Sequence, residues 1–284
     1  MDEFLEGVSM RVTHLLAMGI VAVALAAPVS AQEEKNPHKD THWSWSGSVT
    51  PQQMKDIITN SGFRIIDLEI AQPSPLEFSV VWAKNDGPLN RAWWWYYGIS
   101  GPDVDKYRKE HDAHIHDIEV MSLKPDARFA VVYVKDPGQN SSFNWTAGSI
   151  EMSGLNAYVS SLPPLGMRLI DFDPNPHLAY YTTTVEAPNT NPAIGWWLYV
   201  NATESFISSK IKEHGARLVD IERHPGGRFS VIMIKSPAAW WWYYGKTKQQ
   251  VETLSQQKKG RIIDLETHVR NGVRYFDFIM VGNK

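Results

Sequence analysis

Six residues, Trp93-Trp94-Trp95-Tyr96-Tyr97-Gly98, return almost unchanged as Trp240-Trp241-Trp242-Tyr243-Tyr244-Gly245. Weaker copies are Trp43-Ser44-Trp45-Ser46-Gly47, Phe143-Asn144-Trp145-Thr146-Ala147-Gly148 and Trp196-Trp197-Leu198-Tyr199-Val200-Asn201. Eleven of the 12 Trp lie in these five boxes. A chain that places its bulkiest residues at regular intervals is built from copied units. Each copy must bury its faces against its neighbours, because one alone has no interior.

A second motif sets the register of the copies. It reads Arg64-Ile65-Ile66-Asp67-Leu68-Glu69, His114-Ile115-His116-Asp117-Ile118-Glu119 and Arg168-Leu169-Ile170-Asp171-Phe172-Asp173. Arg217-Leu218-Val219-Asp220-Ile221-Glu222 and Arg261-Ile262-Ile263-Asp264-Leu265-Glu266 complete the set. An Asp recurs in all five, and an acid follows two places later each time. The spacing is about 44 to 54 residues, the range of solenoids, propellers and arrays. The units run over about 43–90, 91–142, 143–193, 194–238 and 239–284.

Each unit has the same parts. The aromatic box suits a half-buried pleated strand. It ends in Gly or Asn, residues that accept a left-handed turn. A one-sided helix follows, with Thr50, Pro51 and Gln53 as start signals and Thr247 and Gln250 repeating them. Its apolar face is Met54, Ile57 and Ile58, then Val104 and Tyr107, then Leu155, Tyr158 and Val159. Units four and five offer Phe206, Ile207 and Ile211, then Val251 and Leu254. Gly62, Gly166, Gly215 and Gly260 stop four of the helices. A hairpin ends each unit, with the Asp motif as its first strand and turns such as Pro225-Gly226-Gly227 and Asn271-Gly272. Both hairpin strands are apolar on both faces, as in a sheet covered on both sides.

The expected fold is α+β. Five strand-helix-hairpin repeats join edge to edge into one curved, half-barrel-like antiparallel sheet with helices on one face. The alternative is a five-bladed, propeller-like ring.

Residues 1–31 read as a signal peptide, with a basic start, an apolar run from Leu15 to Ala27 and a small-residue cleavage site at Ala31. Acidic residues before Met10 are wrong for such a start and make Met10 the expected initiator. The apolar run is too short to span a bilayer. Residues 32–42 are a polar, disordered lead-in. The expected location is secreted or periplasmic, with no membrane span after cleavage. No cysteine is present, which excludes disulfides, thiolate metal sites and cysteine nucleophiles. Net charge is -3 without runs of like charge, which argues against nucleic acid as a partner.

Trp-Trp-x-Tyr-x-Gly, a helix, then Arg-Ile-Ile-Asp-Leu-Glu resembles the tryptophan-rich bacterial tandem repeats. The resemblance covers residues 43 to 281. In such families the repeats stand alone in secreted proteins or precede a β-lactamase-like serine hydrolase domain, as in polyglycine hydrolases. The resemblance implies a recognition or scaffold module. The repeats leave no room in this chain for a hydrolase domain.

Each candidate site residue carries two readings. Trp93, Trp94, Trp95, Trp196, Trp197, Trp240, Trp241 and Trp242 are candidate ligand-stacking residues; the competing role is packing between units. On a strand Trp94 faces opposite to Trp93 and Trp95. Asp67, Asp117, Asp171, Asp220 and Asp264 read as structural acids, since a buried carboxylate in one repeated slot needs a partner. A calcium-binding ring is the lesser alternative. His114 and His116 share one strand face and are the candidate metal ligands. Ser255-Gln256-Gln257-Lys258 and Tyr199-Val200-Asn201 match short serine-hydrolase patterns, but both fall in slots the repeat already explains. No cofactor is expected. The favoured function is a module that binds an extracellular polymer, glycan or peptide, or a protein partner through an aromatic surface. The alternatives are a related hydrolase or a metal-dependent enzyme using the unit-two histidines.

Overall fold

The computed structural model describes residues 41–87, 90–123, 126–135, 143–149, 152–175, 181–188 and 193–283. The expected signal segment and the lead-in up to residue 40 lie outside the described residues.

Unit one is β1 (Trp43–Val49), α1 (Pro51–Ser61), β2 (Phe63–Pro73) and β3 (Leu76–Lys84). Unit two is β4 (Ala92–Ile99), α2 (Gly101–Glu110), β5 (His114–Ser122) and β6 (Arg128–Lys135). Unit three is β7 (Asn144–Ser149), α3 (Met152–Ser161), β8 (Met167–Asn175) and β9 (Tyr181–Pro188). Unit four is β10 (Trp196–Ala202), α4 (Glu204–His214), β11 (Ala216–His224) and β12 (Arg228–Lys235). Unit five is β13 (Trp240–Lys246), α5 (Lys248–Lys258), β14 (Gly260–Arg270) and β15 (Val273–Gly282). Strand, helix and hairpin thus recur five times.

Local chemistry accounts for the boundaries. Thr50, Ser100, Thr203 and Thr247 each cap a helix by accepting the amide three residues on. In three of them the residue at that position bonds back to the cap amide. Gly62 and Gly215 end α1 and α4 with left-handed φ of 65° and 58°. In unit five Lys259 takes that conformation instead (φ 49°), and Gly260 opens β14. In unit three α3 is followed by a 3-10 turn, Pro163–Leu165, before Gly166. Gly98, Asn201 and Gly245 are left-handed as expected at the end of the aromatic strand. Gly47 is not; a Cβ there would run into the Phe276 ring of unit five, so close approach is what requires glycine.

Each unit forms its own three-stranded antiparallel sheet, ordered first, third, second strand. The expected edge-to-edge continuation into a single sheet is not found among the described residues. The Asp motif carries a feature that recurs in every unit. In all five units the pairing of second and third strands slips just before the Asp, leaving Ile66, His116, Ile170, Val219 and Ile263 as bulges. Four of these residues pack into the core shared with another unit. The fifth, His116, donates from Nε2 to the Ile66 carbonyl of unit one.

The core consists of five clusters, and each spans two units. Met54, Phe78 and Val80 of unit one meet Ala130 and Val132 of unit two. Val104 and Phe129 of unit two meet Ile170 and Val185 of unit three. Leu155 and Phe172 of unit three meet Val219 and Ile232 of unit four. Ile207 and Val231 of unit four meet Ile263 and Ile279 of unit five. The last cluster joins Val251 and Phe278 of unit five to Ile66 and Val81 of unit one. Each helix thus covers the face of its own sheet that turns to the next unit. One apolar residue per helix, Met54, Val104, Leu155, Ile207 or Val251, is fully buried there, and partly buried neighbours such as Ile57, Tyr107, Tyr158, Ile211 and Leu254 pack on the same clusters. Phe206, placed by its spacing on the apolar face of α4, is exposed instead.

Candidate functional site

The aromatic strands lie at one edge of each sheet, paired on one side only. Their alternation is as the strand geometry requires. Trp93 and Trp95 pack on the core shared with unit one, whereas Trp94 and Tyr96 pack on the core shared with unit three. Trp94 lies flat on His111 at 4.2 Å, and Trp197 flat on His214 at 4.0 Å. The same two histidines bond Tyr96 Oη at 2.8 Å and Tyr199 Oη at 2.7 Å. Trp196 packs between units three and four, Trp240 and Trp242 between four and five, and Trp241 between five and one. All eight candidate indoles are half-buried. Packing holds one part of each ring and leaves another part to solvent.

Two details extend this surface. Ile58 of α1 and Trp93 to Tyr96 of β4 line an open cavity of about 320 Å³. Tyr97 and Tyr244, at matching positions in units two and five, are each 44% exposed. Tyr97 stacks on Trp95 at 5.1 Å, and Tyr244 leans on Trp242 at 5.5 Å. Both tyrosines also touch a buried phenylalanine of the preceding unit, Phe78 or Phe229. The same aromatic ledge is thus built twice.

The second strands carry the charge. Asp67, Asp117, Asp171, Asp220 and Asp264 are all buried. Two of them show what the slot does. Asp117 accepts the Leu68 amide at 2.7 Å, and Asp264 accepts the Ile221 amide at 3.2 Å. In both cases the carboxylate reaches the strand of the preceding unit. Arg64, Arg168, Arg217 and Arg261 are buried three residues before the Asp. Burial pulls the Arg168 and Arg217 guanidinium pKa values down to about 10. The charges of Arg168 and Arg261 add to the effect at Arg217, so these side chains share one neighbourhood.

Two residues beyond each Asp stands a further acid: Glu69, Glu119, Asp173, Glu222 and Glu266. These five converge. Glu69, Glu222 and Glu266 each bring a carboxylate oxygen within 4.8 Å of the others. Burial, then repulsion from neighbouring acids, holds Glu69, Glu119 and Glu222 well above the usual carboxylate range. Burial foremost raises Glu266 to about 8 and Asp173 to about 7. The recurrence of the acid was visible in the sequence; its convergence was not, because no spacing rule brings five distant strands together.

Compared with known proteins, the chain matches no family model and none of the curated proteins.

The remaining candidates make the following contacts. His114 and His116 are buried, with ring centres 6.5 Å apart. His114 lies flat on Phe143 at 3.9 Å, and His116 is bonded to the Ile66 carbonyl. Neither belongs to the carboxylate group that gathers ligating atoms among the described residues. Ser255 is buried, with its hydroxyl 3.5 Å from Met280 Sδ, and Lys258 lies over the Trp241 ring. Tyr199 is engaged with His214.

Proposed function

We propose that the chain is a non-catalytic binding module that takes an extended ligand along its aromatic edge strands. The ligand class is a glycan or peptide polymer, or a flexible segment of a protein partner. The observation that carries this reading is the half-exposed seam of Ile58 and Trp93 to Tyr96 around a cavity of about 320 Å³. That size admits one sugar ring or one side chain, at the small end of ligand pockets. Flat rings with one face fixed in the core offer stacking area at little entropic cost. The doubled ledge of Trp95 with Tyr97 and Trp242 with Tyr244 suits a ligand that repeats.

For the architecture we favour a five-bladed, propeller-like ring. Its support is the cyclic contact of the second strands, β2 with β5, β5 with β8, β8 with β11, β11 with β14 and β14 with β2. The resemblance to tryptophan-rich tandem repeats and the export-type leader favour a secreted setting.

A glycan and peptide array, probed with wild type and Ile58→Arg, tests the function. Wild type should bind one ligand class, and the filled cavity should weaken that binding at least about tenfold with an unchanged thermal melt. Equal binding by both proteins, or no ligand for a well-folded wild type, overturns the reading.

A further inference from the structure

We propose that Glu69, Glu119, Asp173, Glu222 and Glu266 form a binding site for one divalent cation of the calcium type. Each unit contributes one carboxylate from the same position, so the site exists only in the assembled chain. The donor set is all oxygen. That chemistry selects hard cations over zinc or copper, which prefer nitrogen and sulfur.

The three carboxylates are close enough to share one ion. Oxygens of Glu69, Glu222 and Glu266 lie within 4.8 Å of one another. Calcium takes about six to eight oxygens in flexible geometry, whereas magnesium demands a near-ideal octahedron and keeps several of its waters. Carboxylates drawn from separate strands suit the more adaptable ion.

A second observation points the same way. Glu266 bonds Glu69 and Glu222, and Asp173 accepts from the Val120 backbone, yet one oxygen of each, Glu266 Oε1 and Asp173 Oδ2, is buried without a hydrogen-bond partner. Their side chains are 7% and 5% exposed. A buried acceptor without a partner carries an uncompensated desolvation cost, larger when it is charged. Asp173 lies in the neighbourhood of the other four, since its charge raises Glu69, Glu119, Glu222 and Glu266 alike. The leading charges on Glu69, Glu119 and Glu222 are those of other acids, not of a neighbouring base. A cation would meet the free oxygens and relieve the repulsion together. Glu69 and Glu222 are only half-buried, which leaves a way in.

The test uses the full chain after treatment with a chelator. Calorimetric titration at neutral pH should find about one calcium ion per chain, with magnesium weaker by at least about tenfold. Calcium should also raise the thermal melting point. Glu266→Gln and Asp173→Asn keep the shape and remove a charge. Each should fold at least as well as wild type without metal, yet lose the calcium-induced rise. No heat and no rise with wild type in millimolar calcium would overturn the proposal, leaving a cluster that holds protons only. A rise of equal size in both variants would overturn it too.

Discussion

The Leu68 amide donates to the Asp117 carboxylate at 2.7 Å, so a side chain of one unit completes the backbone of the unit before it. The bond is buried and lies beside the bulge at His116. Removing the carboxylate strands a buried N–H. Asp117→Ala should therefore cost about 1–3 kcal/mol of unfolding free energy, and Asp117→Asn, which keeps an acceptor, clearly less. Urea denaturation measures both. Equal losses in the two variants would mean that the hydrogen bond is not the source of the effect.

Two glycines near the ends of their aromatic strands should respond oppositely. A Cβ at Gly47 collides with the Phe276 ring, whereas a Cβ at Gly148 meets nothing within 4 Å. Gly47→Ala should destabilise by about 1–3 kcal/mol, the usual cost of overpacking. Gly148→Ala should be neutral or stabilising by up to about 1 kcal/mol, through the unfolded chain. Thermal melts of the two variants would separate them. Matching shifts would show that the seam yields at Phe276.

The buried acids set a pH dependence. Burial lifts Glu186 from 4.5 to about 8, and Glu266 to a similar value. Folded carboxyls with raised pKa values hold protons that the unfolded chain has already released. Their contribution to stability is complete below about pH 4.5 and is lost as pH rises through about 8. The metal-free chain should thus weaken steadily across that window. Glu186 accepts from Thr184 Oγ1 at 2.8 Å and from Tyr158 Oη. Glu186→Gln retains an acceptor without the charge. It should flatten part of the slope and gain more than about 1 kcal/mol at pH 8. Denaturation midpoints taken from pH 4.5 to 8 decide; an unaltered slope would remove Glu186 as a contributor.

Since every core cluster spans two units, no unit should fold alone. A peptide of residues 43–90 loses the partners of Phe78, Val80 and Ile66. It should show no cooperative thermal transition by circular dichroism. A sharp transition in that fragment would contradict the shared interior.

Much of this was legible in the sequence because it is local and periodic. The capping residues, the helix faces and the hairpin turns each depend on neighbours a few positions away. The repeated Asp announced a structural bond but not its partner, because the Leu68 amide belongs to a different copy. The bulges were hidden because Ile66, Val219 and Ile263 are apolar like the residues around them, and an inserted residue changes pairing rather than composition. Among the bulges only His116 broke the pattern; with His114 it suggested metal, and its imidazole bonds the Ile66 carbonyl. The acids at Glu69 and its counterparts were visible as a repeat. Their meeting point depends on how five separate sheets are arranged, which no alternation of residues encodes. Phe206 misled for a simpler reason: a helix face drawn from spacing is wider than the strip that a neighbouring sheet covers.

Thr41 and Asn283 exchange two hydrogen bonds, Thr41 N–H to Asn283 Oδ1 at 3.2 Å and Asn283 Nδ2 to the Thr41 carbonyl at 2.9 Å. The first and last described residues are thus clasped side by side, next to the seam where Trp45 meets Phe276 edge-on at 5.2 Å. A polypeptide limited to residues 41–283, whose two ends adjoin, can be opened elsewhere and spliced there by a short linker. Reordered versions that begin at the Asn271-Gly272 turn or the Pro225-Gly226-Gly227 turn would keep every contact described above, so the starting point of the polypeptide is interchangeable among its copies.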